Sequence, residues 1–127
     1  MTQEFGTLLN CMDGRVQRNV AEHLLTLMDV RHLDTVTTAG MVRHLAGEPT
    51  DRTPAILDDL DVSLTRHGSR QIAIAAHHDC AGNPVGDADQ RLQVISAVRL
   101  LQVRHPDLEV HGIWVDHQWT VHRLPSG

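Results

Sequence analysis

Two cysteines and one histidine of this 127-residue chain stand where the sequence could assemble a reactive centre. Cys11 follows the apolar run Thr7-Leu8-Leu9-Asn10, and His77 and Cys80 follow Ile72-Ala73-Ile74-Ala75-Ala76. Short runs of branched and small apolar residues read as buried strands of a parallel sheet. Cys11, His77 and Cys80 therefore fall just past carboxyl ends of strands, where open α/β sheets place their ligands. Thiolates and imidazole are the donors that zinc takes in a tetrahedron, and three protein ligands leave the fourth corner free for water. A His and a Cys separated by two residues reach one ion when the loop is tight, and Gly82 keeps this one compact.

Two thiolates cancel the charge of the metal, so a bound water is less acidic than under three neutral imidazoles. Something must manage its proton. Asp13 and Arg15 lie two and four residues past Cys11. Asp13 can accept a hydrogen bond from such a water while Arg15 pairs with Asp13 and fixes it. The start of the helix that follows favours the Cys11 thiolate. His78, beside the ligands, is a candidate proton relay, and Asp79 reads as structural. His23, His32, His44, His67, His105, His111, His117 and His122 show no ligand spacing with one another. Gly82-Asn83-Pro84 lacks a nearby lysine and does not read as a phosphate cradle.

The rest of the chain must position these groups. Residues 4–10 predict a first strand and 16–28 a helix, with Val16, Val20, Leu24, Leu27 and Met28 as its apolar stripe. Residues 32–38 alternate and are β-branched, predicting a second strand that ends at Ala39-Gly40-Met41. Residues 43–52 read as polar loop or irregular helix. Thr53-Pro54 predicts a hydroxyl cap with proline at the first helical position, and Ile56, Leu57, Leu60 and Leu64 a buried stripe as far as Gly68. The third strand covers 70–76. Asp87 and Gln90 have the spacing of a capping box for a helix over 87–104, lined by Leu92, Val94, Ile95, Val98 and Leu101. Strands over 109–115 and 119–124 complete an α/β chain. It has a mostly parallel sheet of four to five strands, helices on both faces, right-handed crossovers and an antiparallel edge strand.

Length fits one domain over 1–127. Apolar content of 41% and charged content of 21% are ordinary for a folded chain. A net charge of −5 and only three aromatic residues, Phe5, Trp114 and Trp119, argue against nucleic acid as a partner. No apolar run approaches the roughly 20 residues of a membrane span. The stretch from Met1 to Gly6 lacks the pattern of a signal peptide. A cytoplasmic location is the default, and its reducing conditions disfavour a disulfide between the two cysteines.

Cys11-Met12-Asp13-Gly14-Arg15 resembles the Cys-x-Asp-x-Arg motif of β-class carbonic anhydrases, and His77-His78-Asp79-Cys80 resembles their His-x-x-Cys motif. The resemblance extends over most of the chain. It implies a β-carbonic-anhydrase-like fold and zinc held by Cys11, His77 and Cys80. It further implies a catalytic Asp13–Arg15 dyad and hydration of CO2 to bicarbonate by zinc-bound hydroxide. The exposed edge of the sheet and the small size of the chain suggest a homodimer, and the resemblance implies that the site lies at its interface. It also implies an alternative resting state, with Asp13 on the zinc and Arg15 released. The chain departs from the family in three places. Thr37-Thr38-Ala39-Gly40 stands where Arg-Asn-Ala-Gly is usual, Ala81 stands where Gly is common, and with so few aromatics an aromatic-walled pocket is not expected. A counterpart of the family's N-terminal helical arm is not expected. Two further readings remain open: a zinc hydrolase of COS or CS2, and a non-catalytic zinc-binding or thiol protein in which Asp13 closes the tetrahedron.

Overall fold

The computed structural model describes residues 3–125; Met1 and Thr2, the start of the stretch read for a targeting segment, lie outside them. Five strands form one sheet: β1 (Phe5–Asn10), β2 (His32–Thr37), β3 (Gln71–His77), β4 (Glu109–Val115) and β5 (Val121–Leu124). Their order is β2-β1-β3-β4-β5, parallel except for β5, which runs antiparallel to β4. Helices α1 (Arg18–Met28), α2 (Thr53–Arg66) and α3 (Asp87–Arg104) connect the parallel strands. The α/β architecture read from the sequence is the one observed.

Side-chain parity divides the core in two. Ile72, Ile74 and Ala76 of β3 pack with Leu9, Ile56, Leu60, Val94, Val98 and Leu101 against α2 and α3. Ala73 and Ala75 of the same strand pack with Leu8, Val20, Leu24 and Met28 against α1. All of β3 is buried, as expected of a central parallel strand. Strand alternation then sends the last residue, His77, to the α1 side, and Cys11 and Cys80 belong to that same cluster.

Several local expectations change. Asp87 does not cap α3: Gly86 occupies the cap position without a side-chain bond, and Asp87 is the first helical residue. Its carboxylate is engaged by His78 instead, 2.9 Å away. Thr53 likewise begins α2 rather than capping it, because its hydroxyl donates to the His44 carbonyl at 2.6 Å. Leu92 is 64% exposed, and the buried face of α3 is Gln90, Val94, Ala97, Val98 and Leu101. Leu27 is also exposed. The stretch after β2 contains a 3-10 turn, Met41–His44, whose Met41 and Val42 enter the core with the following Leu45. Three core residues on one short turn have no helical or strand period, so periodicity passed over them.

Candidate metal centre

Cys11 leaves the end of β1, His77 ends the neighbouring β3, and Cys80 follows in the loop beyond. All three are buried, and their ligand atoms lie within 4.8 Å of one another. The two Sγ atoms are 3.8 Å apart. Two sulfurs each about 2.3 Å from a tetrahedral ion would stand at about that separation. The Nδ1–H of His77 donates to the His78 carbonyl at 2.7 Å. In the neutral ring that bond fixes the tautomer and leaves Nε2 as a lone pair, buried and without a hydrogen-bond partner. A buried acceptor with no donor is costly, and a soft divalent cation beside two thiols satisfies it. The donor set fits zinc.

The electrostatics favour one thiolate at the outset. The Cys80 thiol donates to the Cys11 sulfur and holds its pKa well below the usual thiol range, with help from His77 and the backbone around Asp13 and Gly40, against the cost of burial. The Cys80 thiol is correspondingly pushed up, by Cys11 first and by burial second. Burial works against the His77 imidazolium, but the Cys11 sulfur and the His78 carbonyl outweigh it and raise the pKa. The expected aid from a helix start takes another form: Cys11 is followed by a 3-10 turn, Gly14–Val16, and α1 begins only at Arg18.

Asp13 caps that 3-10 turn and meets Arg15 at the same time. Its Oδ1 accepts from the Arg15 backbone N–H at 2.9 Å and from Nε at 3.0 Å, while Oδ2 accepts from Nη2 at 2.7 Å. This paired fork holds the Asp13 carboxyl down to about 2, the hydrogen bonds from Arg15 being the main cause. Oδ2 also lies 3.9 Å from His77 Nε2. The same guanidinium reaches the loop between the ligands: Nη2 donates to the Asp79 carbonyl at 3.1 Å and Nη1 to its carboxylate at 3.3 Å. Asp79 itself has φ 58°. Arg15 thus joins the two motifs, a link invisible in a linear reading.

Gly82 keeps its expected role, and the reason is a contact with Ala39 and Gly40. A Cβ on Gly82 would stand 2.6 Å from the Ala39 carbonyl carbon and the Gly40 nitrogen. The Ala39 carbonyl in turn accepts from His44 Nε2 at 3.1 Å, with Thr50 on the other ring nitrogen at 2.6 Å. His44 is therefore a buried brace of this turn. His78 has Nδ1 on Asp87, and its ring centroid is 6.1 Å from that of exposed His117. One aromatic does border the site: the Trp119 centroid lies 6.3 Å from that of His77, and Arg15 Cζ sits 4.4 Å from the indole centroid.

The fold is that of the β-carbonic anhydrases. The carbonic anhydrase of Streptococcus mutans superposes with a TM-score of 0.62 at 18% identity, over 98% of this chain and 82% of that one. A tetrameric β-carbonic anhydrase of Sordaria macrospora gives 0.62 at 14% identity, over 97% and 81%. The Coccomyxa enzyme in complex with acetazolamide gives 0.65 at 14% identity, over 97% and 72%. No curated protein matches the chain significantly in sequence. The family model described as "Putative carbonic anhydrase" matches residues 1–125, and the chain belongs to that family.

Proposed function

We propose that this chain is a zinc-dependent carbonic anhydrase, a lyase that hydrates CO2 to bicarbonate. Cys11, His77 and Cys80 hold the metal, and Asp13 and Arg15 order the reacting water. The observation that carries this reading is the unpartnered Nε2 of buried His77, within reach of two sulfurs and 3.9 Å from the Asp13 carboxylate. Bound zinc would supply a Lewis acid that lowers the pKa of the reacting water.

The protein's own groups do the rest. Asp13, ionised and acceptor-only at neutral pH, takes a hydrogen bond from the reacting water and leaves its oxygen lone pair free to face the substrate. It orients that water and does not store its proton. Arg15 spends four hydrogen bonds on Asp13, which supports an open corner over an arrangement in which Asp13 closes the tetrahedron. The His78–Asp87 pair, with His117 beyond it, offers a route for the released proton toward solvent.

Zinc analysis combined with stopped-flow CO2 hydration tests the reading. About one zinc per chain and a turnover that falls sharply in Asp13→Asn support it. Zinc-replete protein without hydration at any pH up to about 9 contradicts it. Offering COS and CS2 alongside, with sulfide detection, separates a hydrolase on the same scaffold. We also propose a homodimer, which sedimentation velocity measures directly. Among the described residues, no helix is long and apolar enough to cross a membrane.

A further inference from the structure

We infer that Trp119 is a positioning residue of this site, a clamp that holds the Arg15 guanidinium in the orientation that keeps Asp13 off the metal corner. The inference rests on the proposed function for its consequence, but its geometry stands apart from any metal. Three observations carry it. Arg15 Cζ lies 4.4 Å from the indole centroid, within the range of a cation over an aromatic face. The edges of the guanidinium are meanwhile taken by Asp13 and Asp79, so the indole closes a face the carboxylates leave open.

The backbone of Trp119 has φ 63°, a region that bulky residues seldom occupy and glycine adopts freely. The turn is forced into that shape by its own bonds. Trp119 N–H donates to the Asp116 carbonyl at 2.9 Å, the Asp116 carboxylate accepts from the Gln118 and Thr120 N–H groups, and Asn19 Nδ2 donates to the Trp119 carbonyl at 3.0 Å. A tryptophan in a glycine's conformation, aimed at the dyad arginine, points to a task for the side chain rather than for the turn.

The test is the side-chain Nε–H signal of Arg15 in metal-free protein, assigned with Arg15→Lys and read by nitrogen–proton NMR. In the wild type, this proton is expected to carry a ring-current shift and to exchange slowly with water. Trp119→Leu is expected to speed exchange about two- to fivefold, the range of an exposed cation–aromatic contact. Trp119→Phe should stay close to wild type. Trp119→Gly, which relaxes the turn, should lose protection as Leu does while the amides of residues 116–120 keep their positions. Absence of a ring-current shift in the wild type, unchanged exchange in Trp119→Leu, or protection retained in Trp119→Gly overturns the clamp. In zinc-loaded protein, kcat for CO2 hydration should fall in Trp119→Leu at constant zinc content and recover in Trp119→Phe; an unchanged kcat beside a loosened Arg15 also overturns it. If the wild type hydrates no CO2, the function proposed above falls, and the metal-free measurement still decides the clamp.

Discussion

Gly82 and Gly40 pack backbone against backbone, so closely that a Cβ on Gly82 would stand 2.6 Å from the Gly40 nitrogen. This contact seats the loop carrying Cys80 on the turn that follows β2. Gly40 also has φ 62°, so neither position accepts a side chain without a shift of main chain. Gly82→Ala is expected to cost about 1–3 kcal/mol, lowering Tm by several degrees, and to leave less than one zinc per chain. Thermal denaturation and metal analysis of the same preparation check both halves. A variant with wild-type Tm and full zinc would show that the loop is set by other contacts.

Removing one donor should empty the centre. Cys11→Ser, His77→Ala and Cys80→Ser each take away one of three buried ligand atoms, and two remaining ligands hold zinc poorly against a chelator. Equilibrium dialysis against a zinc buffer should show at least a hundredfold loss of affinity, and chelation of the wild type should lower its Tm because the metal binds the folded chain. Full retention of zinc in His77→Ala would place the ion elsewhere.

Asp13→Asn keeps the shape but changes an acceptor-only carboxylate into an amide that can donate. With zinc still bound, kcat for CO2 hydration should drop about 10²-fold, the scale of a misoriented reactant. Arg15→Lys should fall in the same direction, since an ammonium cannot reproduce the fork to Asp13 and Asp79. Near-wild-type kcat in Asp13→Asn would remove Asp13 from the proposed chemistry.

Acid sensitivity should trace in part to His111, buried on β4 far along the sheet from the cysteines. Its Nδ1 accepts from Arg123 Nε at 3.2 Å and its Nε2–H donates to Gln71 at 3.0 Å, an arrangement that suits the neutral ring. Burial, with Arg123 adding to it and Glu109 opposing, lowers its pKa below 6.5. The unfolded chain then binds the proton more readily than the folded one, so His111's contribution is whole above about pH 6.5 and is lost as pH falls below that. Urea unfolding at pH 7.5 and 5.5 should show a smaller pH difference in His111→Gln than in the wild type. An identical difference would assign the effect to other groups.

The chain itself specified most of the architecture, because period and parity are local. The run from Ile72 to Ala76 reads as a two-sided buried strand whose end puts His77 and Cys80 at a strand exit, as Cys11 is at its own; that these two exits are neighbours follows from the sheet order. The motif spacing by itself singles out Cys11, Asp13, Arg15, His77 and Cys80 as candidates. What three-dimensional packing alone decided are contacts between residues distant in sequence. Asp87 is drawn from its cap position to His78 and Arg15 reaches across to Asp79. The glycines of two loops share one space, and a tryptophan more than a hundred residues away stacks on Arg15. Such pairings depend on how loops close over the finished sheet, and no periodicity in a linear chain encodes them.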